Sequence, residues 1–312
     1  MWCSRVSSNH VRNQHRRLLL LARESRSDHR RQVATEKICC ASADGPSANA
    51  GSRGLGLHTA TAFLLAGAKT LFISARKAGG EQGIDQAVNR LNDLAAKKGL
   101  KGRAIGIPAN VAQEEDIKRL VSEVKKHEPD LDILVANAGA TWGGPFEPTP
   151  DWSSQKILDL NVRGVFNLAR LFSPMLEAAG SPDDPSRIVI MSSVAGTNVS
   201  HVGDNGTIMY SASKAAAHHL GRNLAVELGP RNITVNTVAP GFFPSKLASG
   251  LIEILGGEEE LSRENPRKRL GEPNDIAGVM LFLCSKASNY VNGEYISVDG
   301  GARLGAGRLT RL

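Results

Sequence analysis

From Thr70 onward the chain alternates short apolar runs with longer segments of helical pattern, and that alternation leaves few folds open. The apolar runs are Thr70 to Ala75, Ala104 to Ile107, Leu131 to Ala136, Arg187 to Met191, Ile233 to Val238 and Glu294 to Val298. They are short and bounded by Gly, Pro or polar residues, as buried parallel strands are. Between them the pattern predicts helices over Glu81 to Lys98, Glu114 to His127, Trp152 to Ala179, Ile208 to Leu228 and Pro273 to Ser285. The second of these has acids near its start and bases near its end, matching the helix dipole. Strand and helix in this alternation predict a single α/β domain built on a doubly wound, mostly parallel sheet. In such a sheet ligands gather at the carboxyl ends of the strands.

The formal charge of +7 in 312 residues is unevenly placed. Residues 1–40 hold nine Lys/Arg against three Asp/Glu, residues 301–312 hold three Arg and no acid, and the remainder comes to −2. A nearly neutral body argues against a nucleic-acid partner, which needs a basic face on the domain itself. No apolar stretch has the length of a membrane span, so no membrane partner is expected. Cys3, Cys39, Cys40 and Cys284 lack metal-ligand spacing, and the adjacent pair cannot easily form an unstrained bridge to each other. The arginine-rich start has a transit-peptide composition, but Glu24 and Asp28 interrupt it and no sustained apolar face recurs. A basic, disordered extension over 1–45, a folded domain over 46–302, a basic tail over 303–312 and a cytoplasmic setting are the expectations.

Chemistry concentrates at three strand ends and on the helices beside them. Tyr210 and Lys214 stand four apart in the predicted helix 208–228, so a phenol and an ammonium share one face. Ser193 follows the run Arg187 to Met191, and Pro240-Gly241 stops the run that begins at Ile233. Asn137-Ala138-Gly139 follows Leu131 to Ala136, and Asn161 lies inside a predicted helix with no local cap to make. The segment Gly51-Ser52-Arg53-Gly54-Leu55-Gly56 opens a helix, where glycines let backbone N–H groups approach a pyrophosphate.

In this order the motifs resemble the short-chain dehydrogenase/reductase family over roughly residues 50 to 300. The run Val238 to Lys246 and a long separation between Ser193 and Tyr210 resemble the branch containing the 3-oxoacyl reductase of rhamnolipid synthesis. The resemblance implies a Rossmann fold of seven strands and a carbonyl reductase. Tyr210 would donate the proton, Ser193 would stabilise the developing oxyanion, Lys214 would lower the tyrosine pKa, and Asn161 would hold a water linking Lys214 to solvent. It further implies a cofactor site of Gly51, Ser52, Arg53, Gly54, Leu55, Gly56, Ser74, Arg76, Asn110, Val111, Asn137, Ala138, Gly139, Tyr210, Lys214, Pro240, Gly241 and Ser245. Ser245 would stand where the family commonly has a threonine. No acid ends the strand before Arg76, and Arg76 with Arg53 suits a 2′-phosphate, so NADP(H) is expected over NAD. A homo-oligomer is implied by the family alone. Physiological oxidation of a secondary alcohol remains open, because the same groups run both directions.

Three departures accompany the matches. Aligned on Gly54 and Gly56, Asn49 and Ala50 replace the family's threonine and first glycine, and Asn110 replaces an aspartate. Residues 43–48, where the first strand should lie, contain Asp44, Gly45 and Pro46, all poor in a central strand. The first strand is therefore expected to be atypical or missing, with residues 1 to about 48 arising from an altered start or splice junction. A cofactor-impaired binding or assembly subunit is the alternative reading. The substrate segment is a lid over about 242–270. Phe242, Phe243, Leu247, Leu251, Ile252 and Leu255 give it a greasy surface suited to a 3-oxoacyl or polyketide-type ketone of secondary metabolism. Arg263, Arg267, Lys268 and Arg269 offer charge for a carrier-linked substrate, although a solvated basic loop is the better account of them. His201, His218 and His219 have no carboxylate or cysteine at supporting spacing and receive no role.

Overall fold

The computed structural model describes residues 37–41, 54–80, 83–199, 201–245 and 248–305, with the backbone alone for 37–41. Seven strands form one parallel sheet: β1 Lys37–Ala41, β2 Thr70–Ser74, β3 Arg103–Gly106, β4 Ile133–Ala136, β5 Ser186–Met191, β6 Ile233–Pro240 and β7 Tyr295–Val298. Their order is β3-β2-β1-β4-β5-β6-β7. The chain reverses direction of travel across the sheet between β1 and β4, so the ligand crevice of a doubly wound fold opens beside those two strands.

The first strand corrects the sequence reading. It is present at Lys37–Ala41, which pairs with β2 from Lys37↔Thr70 to Ala41↔Ser74 and with β4 from Ile38↔Ile133 to Ala41↔Ala136, while residues 43–48 lie outside the described residues. The folded unit thus begins upstream of residue 46. Ile38, Cys39 and Cys40 are strand-compatible residues, unlike Asp44, Gly45 and Pro46.

Strand residues alternate between two cores. Phe72, Leu134, Ala136, Ile188 and Ile190 face one core with helices α3 Glu114–His127, α5 Gly164–Ala179 and α6 Ile208–Leu228. Leu71, Ile73, Ile133, Val135 and Val189 face the other with α1 Gly54–Ala66, α2 Ile84–Lys98 and α9 Pro273–Leu283. In α3 the buried set Ile117, Leu120, Val121 and Val124 has helical spacing. Its first turn carries Glu114, Glu115 and Asp116, and its last turn Lys125, Lys126 and His127. Helix α9 opens with Pro273 and a capping box between Glu272 and Asp275.

One predicted helix is not continuous in type. Over the stretch expected from Trp152 to Ala179, α4 Asp151–Leu158 passes into a π turn, Asp159–Arg163, before α5 resumes. A π turn adds a residue to the turn and re-aims the side chains within it. Asn161 lies there. The lid holds two short helices, α7 Ser249–Ile254 and α8 Gly257–Glu264, and the chain after β7 closes with α10 Ala302–Gly305. No helix among the described residues is long and apolar enough to cross a membrane.

Candidate active site

Ser193 ends β5 in extended backbone and caps a short 3-10 turn, Val194–Gly196, its Oγ accepting the Ala195 N–H at 3.2 Å. The turn is stapled to the first turn of α6, where Ser211 Oγ donates to the Ala195 carbonyl at 2.6 Å. Ser192 Oγ donates to the Lys214 carbonyl at 3.1 Å. These ties hold strand end and helix start together, and Ser193 hydrogen-bonds the Tyr210 phenol.

Lys214 is buried, its Nζ donating to the Met191 carbonyl at 3.0 Å and lying 5.7 Å from the Tyr210 ring centre. Burial pulls its pKa down to about 8. The Tyr210 phenol moves the other way: burial raises its pKa, and the Ser193 hydrogen bond offsets part of that. The ammonium stands toward the β5 carbonyl, and desolvation dominates the phenol. A phenol pushed upward keeps its proton at neutral pH, which suits a proton donor.

Asn161 is fixed by its side chain. Its Oδ1 accepts the Ala140 N–H at 2.8 Å, and its Nδ2 donates to the Ala140 carbonyl and to Ser213 Oγ, both at 2.9 Å. Both amide N–H groups are thereby engaged. The amide ties the loop after β4 to α6, and Ser213 Oγ donates to the Tyr210 carbonyl at 2.7 Å. The π turn is what brings Asn161 to that loop.

Other predicted residues fall along the same strand edge. Asn137, Gly139, Leu55, Pro240, Gly241 and Ser245 line one cavity of about 900 Å³ with Ser193, Tyr210 and Lys214. A Cβ at Gly139 would lie 3.3 Å from Asn161 Oδ1 and 3.4 Å from Lys214 Nζ, so glycine keeps that wall open. Gly54 has φ +54, a conformation that favours glycine at the start of α1. Gly56 and Ala138 are buried in the supporting backbone. Asn137 Nδ2 and Ser74 Oγ are buried without a partner among the described residues. An open glycine wall and unfilled polar atoms at the β2 and β4 ends are a fit for a ligand with polar groups, as a dinucleotide has. Arg76 is exposed just past β2. Val111 is core, and Asn110 Oδ1 accepts the Ala112 N–H at 3.2 Å, so that side chain shapes its own turn. Gly51, Ser52 and Arg53 lie outside the described residues, as do Asn49 and Ala50.

The lid supplies Phe242, Phe243, Leu251, Ile254, Leu255 and Leu261 to the cavity. Ile252 packs inward, and Leu247 lies outside the described residues. The basic residues after the lid helices do not line it. Arg263 pairs with Glu260, Arg269 holds Asp275 through two hydrogen bonds, and Lys268 Nζ donates to the Arg263 carbonyl. The extra residues within His201 to Thr207, read from the sequence as altering the pocket rim, do reach the wall: Asn198, Val199, His201, Asn205 and Thr207 form one side, with His201 6.4 Å from the Phe242 ring. One part of the wall escaped sequence reasoning. Arg303, assigned to a basic tail, lies in α10 and lines the cavity, and no periodicity or motif marks it.

Known proteins match this arrangement. The family profile described as Enoyl-(Acyl carrier protein) reductase matches residues 49–303. The Rhamnolipids biosynthesis 3-oxoacyl-(acyl-carrier-protein) reductase of Pseudomonas aeruginosa is 35% identical over 254 residues, 81% of this chain and 94% of that protein. A 3alpha-hydroxysteroid dehydrogenase of Mediterraneibacter gnavus is 33% identical over 253 residues, again 81% and 94%. The solved Pseudomonas aeruginosa RhlG/NADP active-site complex superposes with a TM-score of 0.75 at 34% identity, covering 87% of this chain and 98% of that one.

Proposed function

This chain belongs to the short-chain dehydrogenase/reductase family of oxidoreductases, and from that premise we propose that it reduces a ketone to a secondary alcohol with NADPH, on a 3-oxoacyl or polyketide-type substrate. The observation that carries the reading is that half-buried Tyr210 faces, together with Ser193 and Lys214, one cavity with a largely apolar lid. NADPH, when bound, supplies the hydride that reaches the carbonyl carbon. Tyr210 donates its proton to the carbonyl oxygen, and Ser193 steadies the negative charge developing there. Lys214 contributes its ammonium beside the phenol and is kept in place by Met191. Gly139, Asn137, Gly241 and Ser245 would hold the nicotinamide end, and Ser74 and Arg76 the adenosine end with its 2′-phosphate. A cytoplasmic, homo-oligomeric enzyme is the setting that accompanies this reading.

A second reading has one observation in its favour. The family profile begins at residue 49, whereas β1 lies at Lys37–Ala41, so the strand that leads into the pyrophosphate turn precedes the family-like segment. A member with weakened cofactor binding, acting as a binding or assembly subunit, would follow from that together with Ala50. Titrating the purified protein with NADPH while following nicotinamide fluorescence separates the two. Saturable binding and turnover of a 3-oxoacyl thioester support the reductase, and no binding at millimolar NADPH overturns it.

A further inference from the structure

The cavity that receives Tyr210 has a second polar station at the turn after β7. Asp299, Gly300 and Gly301 carry the chain into α10, from which Arg303 lines the cavity. The turn is fixed on two sides: Gly241 N–H donates to the Val298 carbonyl at 3.0 Å, and Asn265 Nδ2, just past α8, donates to the Asp299 carbonyl at 2.9 Å. The Asp299 carboxylate is engaged locally, accepting the Gly301 N–H at 3.0 Å and the Arg303 backbone N–H at 2.9 Å. It forms an ion pair with Arg303, Oδ2 to Nε 4.0 Å, too long for a hydrogen bond, and the Arg303 side chain as a whole is 31% exposed. That Nε is buried with no hydrogen-bond partner among the described residues. Glu264, which also lines the cavity, makes no ion pair with Arg303 among them.

A buried guanidinium N–H without an acceptor calls for an explanation, and a planar fork of donors matches a carboxylate or phosphate better than any neutral group. We propose that Arg303 is the anion anchor of the substrate pocket, so that the substrate, on the ketone-reductase reading above, carries a carboxylate or phosphate remote from its carbonyl. Its apolar body lies on Phe243, Leu251 and Leu255. The same cavity is lined by apolar lid residues, by Arg303 and by the catalytic Ser193 and Tyr210, which fits a molecule with an apolar body and polar groups.

The test compares 9-oxodecanoate with methyl 9-oxodecanoate, which differ only in the anion. Binding to the full chain is measured by calorimetric titration, turnover by NADPH consumption, and NADPH affinity by fluorescence, in the parent, Arg303→Met and Arg303→Lys. Arg303→Met should weaken keto-acid binding about ten-fold more than ester binding, and Arg303→Lys should recover part of it. Equal losses for the two ligands, no keto-acid binding by the parent, or a loss confined to NADPH affinity would each overturn the anchor. The last would assign the guanidinium to cofactor phosphate. Selective loss of keto-acid binding without turnover of either ketone by the parent would keep the anchor and remove the reductase reading.

Discussion

Replacing Asn161 by Ala separates a structural tie from a water relay. The substitution removes three hydrogen bonds at 2.8–2.9 Å, all buried, and strands the Ala140 backbone N–H and carbonyl. At about 1 kcal/mol net per bond the loss comes to about 3 kcal/mol, equivalent to about 6 °C in Tm for a domain of this size. Ser213→Ala removes one of the three together with its own bond to the Tyr210 carbonyl, so about 2 kcal/mol is expected of it at about 1 kcal/mol per bond, and the double variant should reveal a coupling of about 1 kcal/mol for the shared bond. Urea titration followed by tryptophan fluorescence gives both numbers from the midpoint and slope. Activity should fall as well, since the loop released from Asn161 carries Gly139 against Lys214 Nζ. If Asn161→Ala unfolds within about 0.5 kcal/mol of the parent while turnover collapses, the tie is not what the amide does, and a relay role would stand in its place.

Tyr210→Phe keeps the half-buried ring and removes the proton, so turnover should drop by about 10³-fold with little change in Tm; a fully active variant would refute the proton-donor assignment. The Lys214 ammonium, its pKa pulled down to about 8, is charged below that pH and neutral above it. Carbonyl reduction should therefore hold steady through neutrality and fall as pH rises through about 8, and the limb should be missing from the residual activity of Lys214→Arg. Asp275, held near pKa 2 by its two hydrogen bonds from Arg269, contributes stability that is present above its usual pKa of 3.8 and is lost as pH falls through about 2. Because the pair is partly exposed, Arg269→Ala should cost only about 1 kcal/mol at neutral pH, a difference that urea titration should show shrinking between pH 4 and 2. Cys40→Pro removes an N–H from a strand paired on both sides and should cost about 3 kcal/mol or more; near-parent stability would mean that Lys37–Ala41 is not the central strand.

The readable parts of this fold are those specified by one segment at a time. Helix α6 was bounded correctly at Ile208 and Leu228, and α3 at Glu114 and His127, because apolar spacing and end charges lie within the element itself. Tyr210, Lys214 and Ser193 were legible for the same reason: a helix repeat and a strand end place them without knowledge of the rest. What was illegible depended on partners. The π turn holds Asn161 where its amide meets Ala140, a partner distant in sequence, and α4–α5 sequence alone reads as uninterrupted helix. The pKa of Tyr210 depends on how much protein surrounds it, and helix spacing to Lys214 says nothing about desolvation. Arg303 looked like part of a charged tail because α10 is too short to leave a periodic signal.

The misplaced first strand has the same origin and bears on how the site is divided. A central parallel strand takes its hydrogen bonds from two neighbours, so β2 and β4 accept any extended, compatible run that reaches them, and Lys37–Ala41 does. Every contact that positions Ser193, Tyr210, Lys214 and Asn161 lies downstream of residue 136, on β5, α6 and the loop after β4. The dinucleotide clamp expected between β1 and α1 depends instead on where residue 41 hands over to Gly54. Acid chemistry and cofactor grip are therefore set by different parts of the chain. A change at the β1 end should register in the cofactor's KM and leave the pH limb of Lys214 where it is, because no hydrogen bond of the proton donor's surroundings passes through that strand.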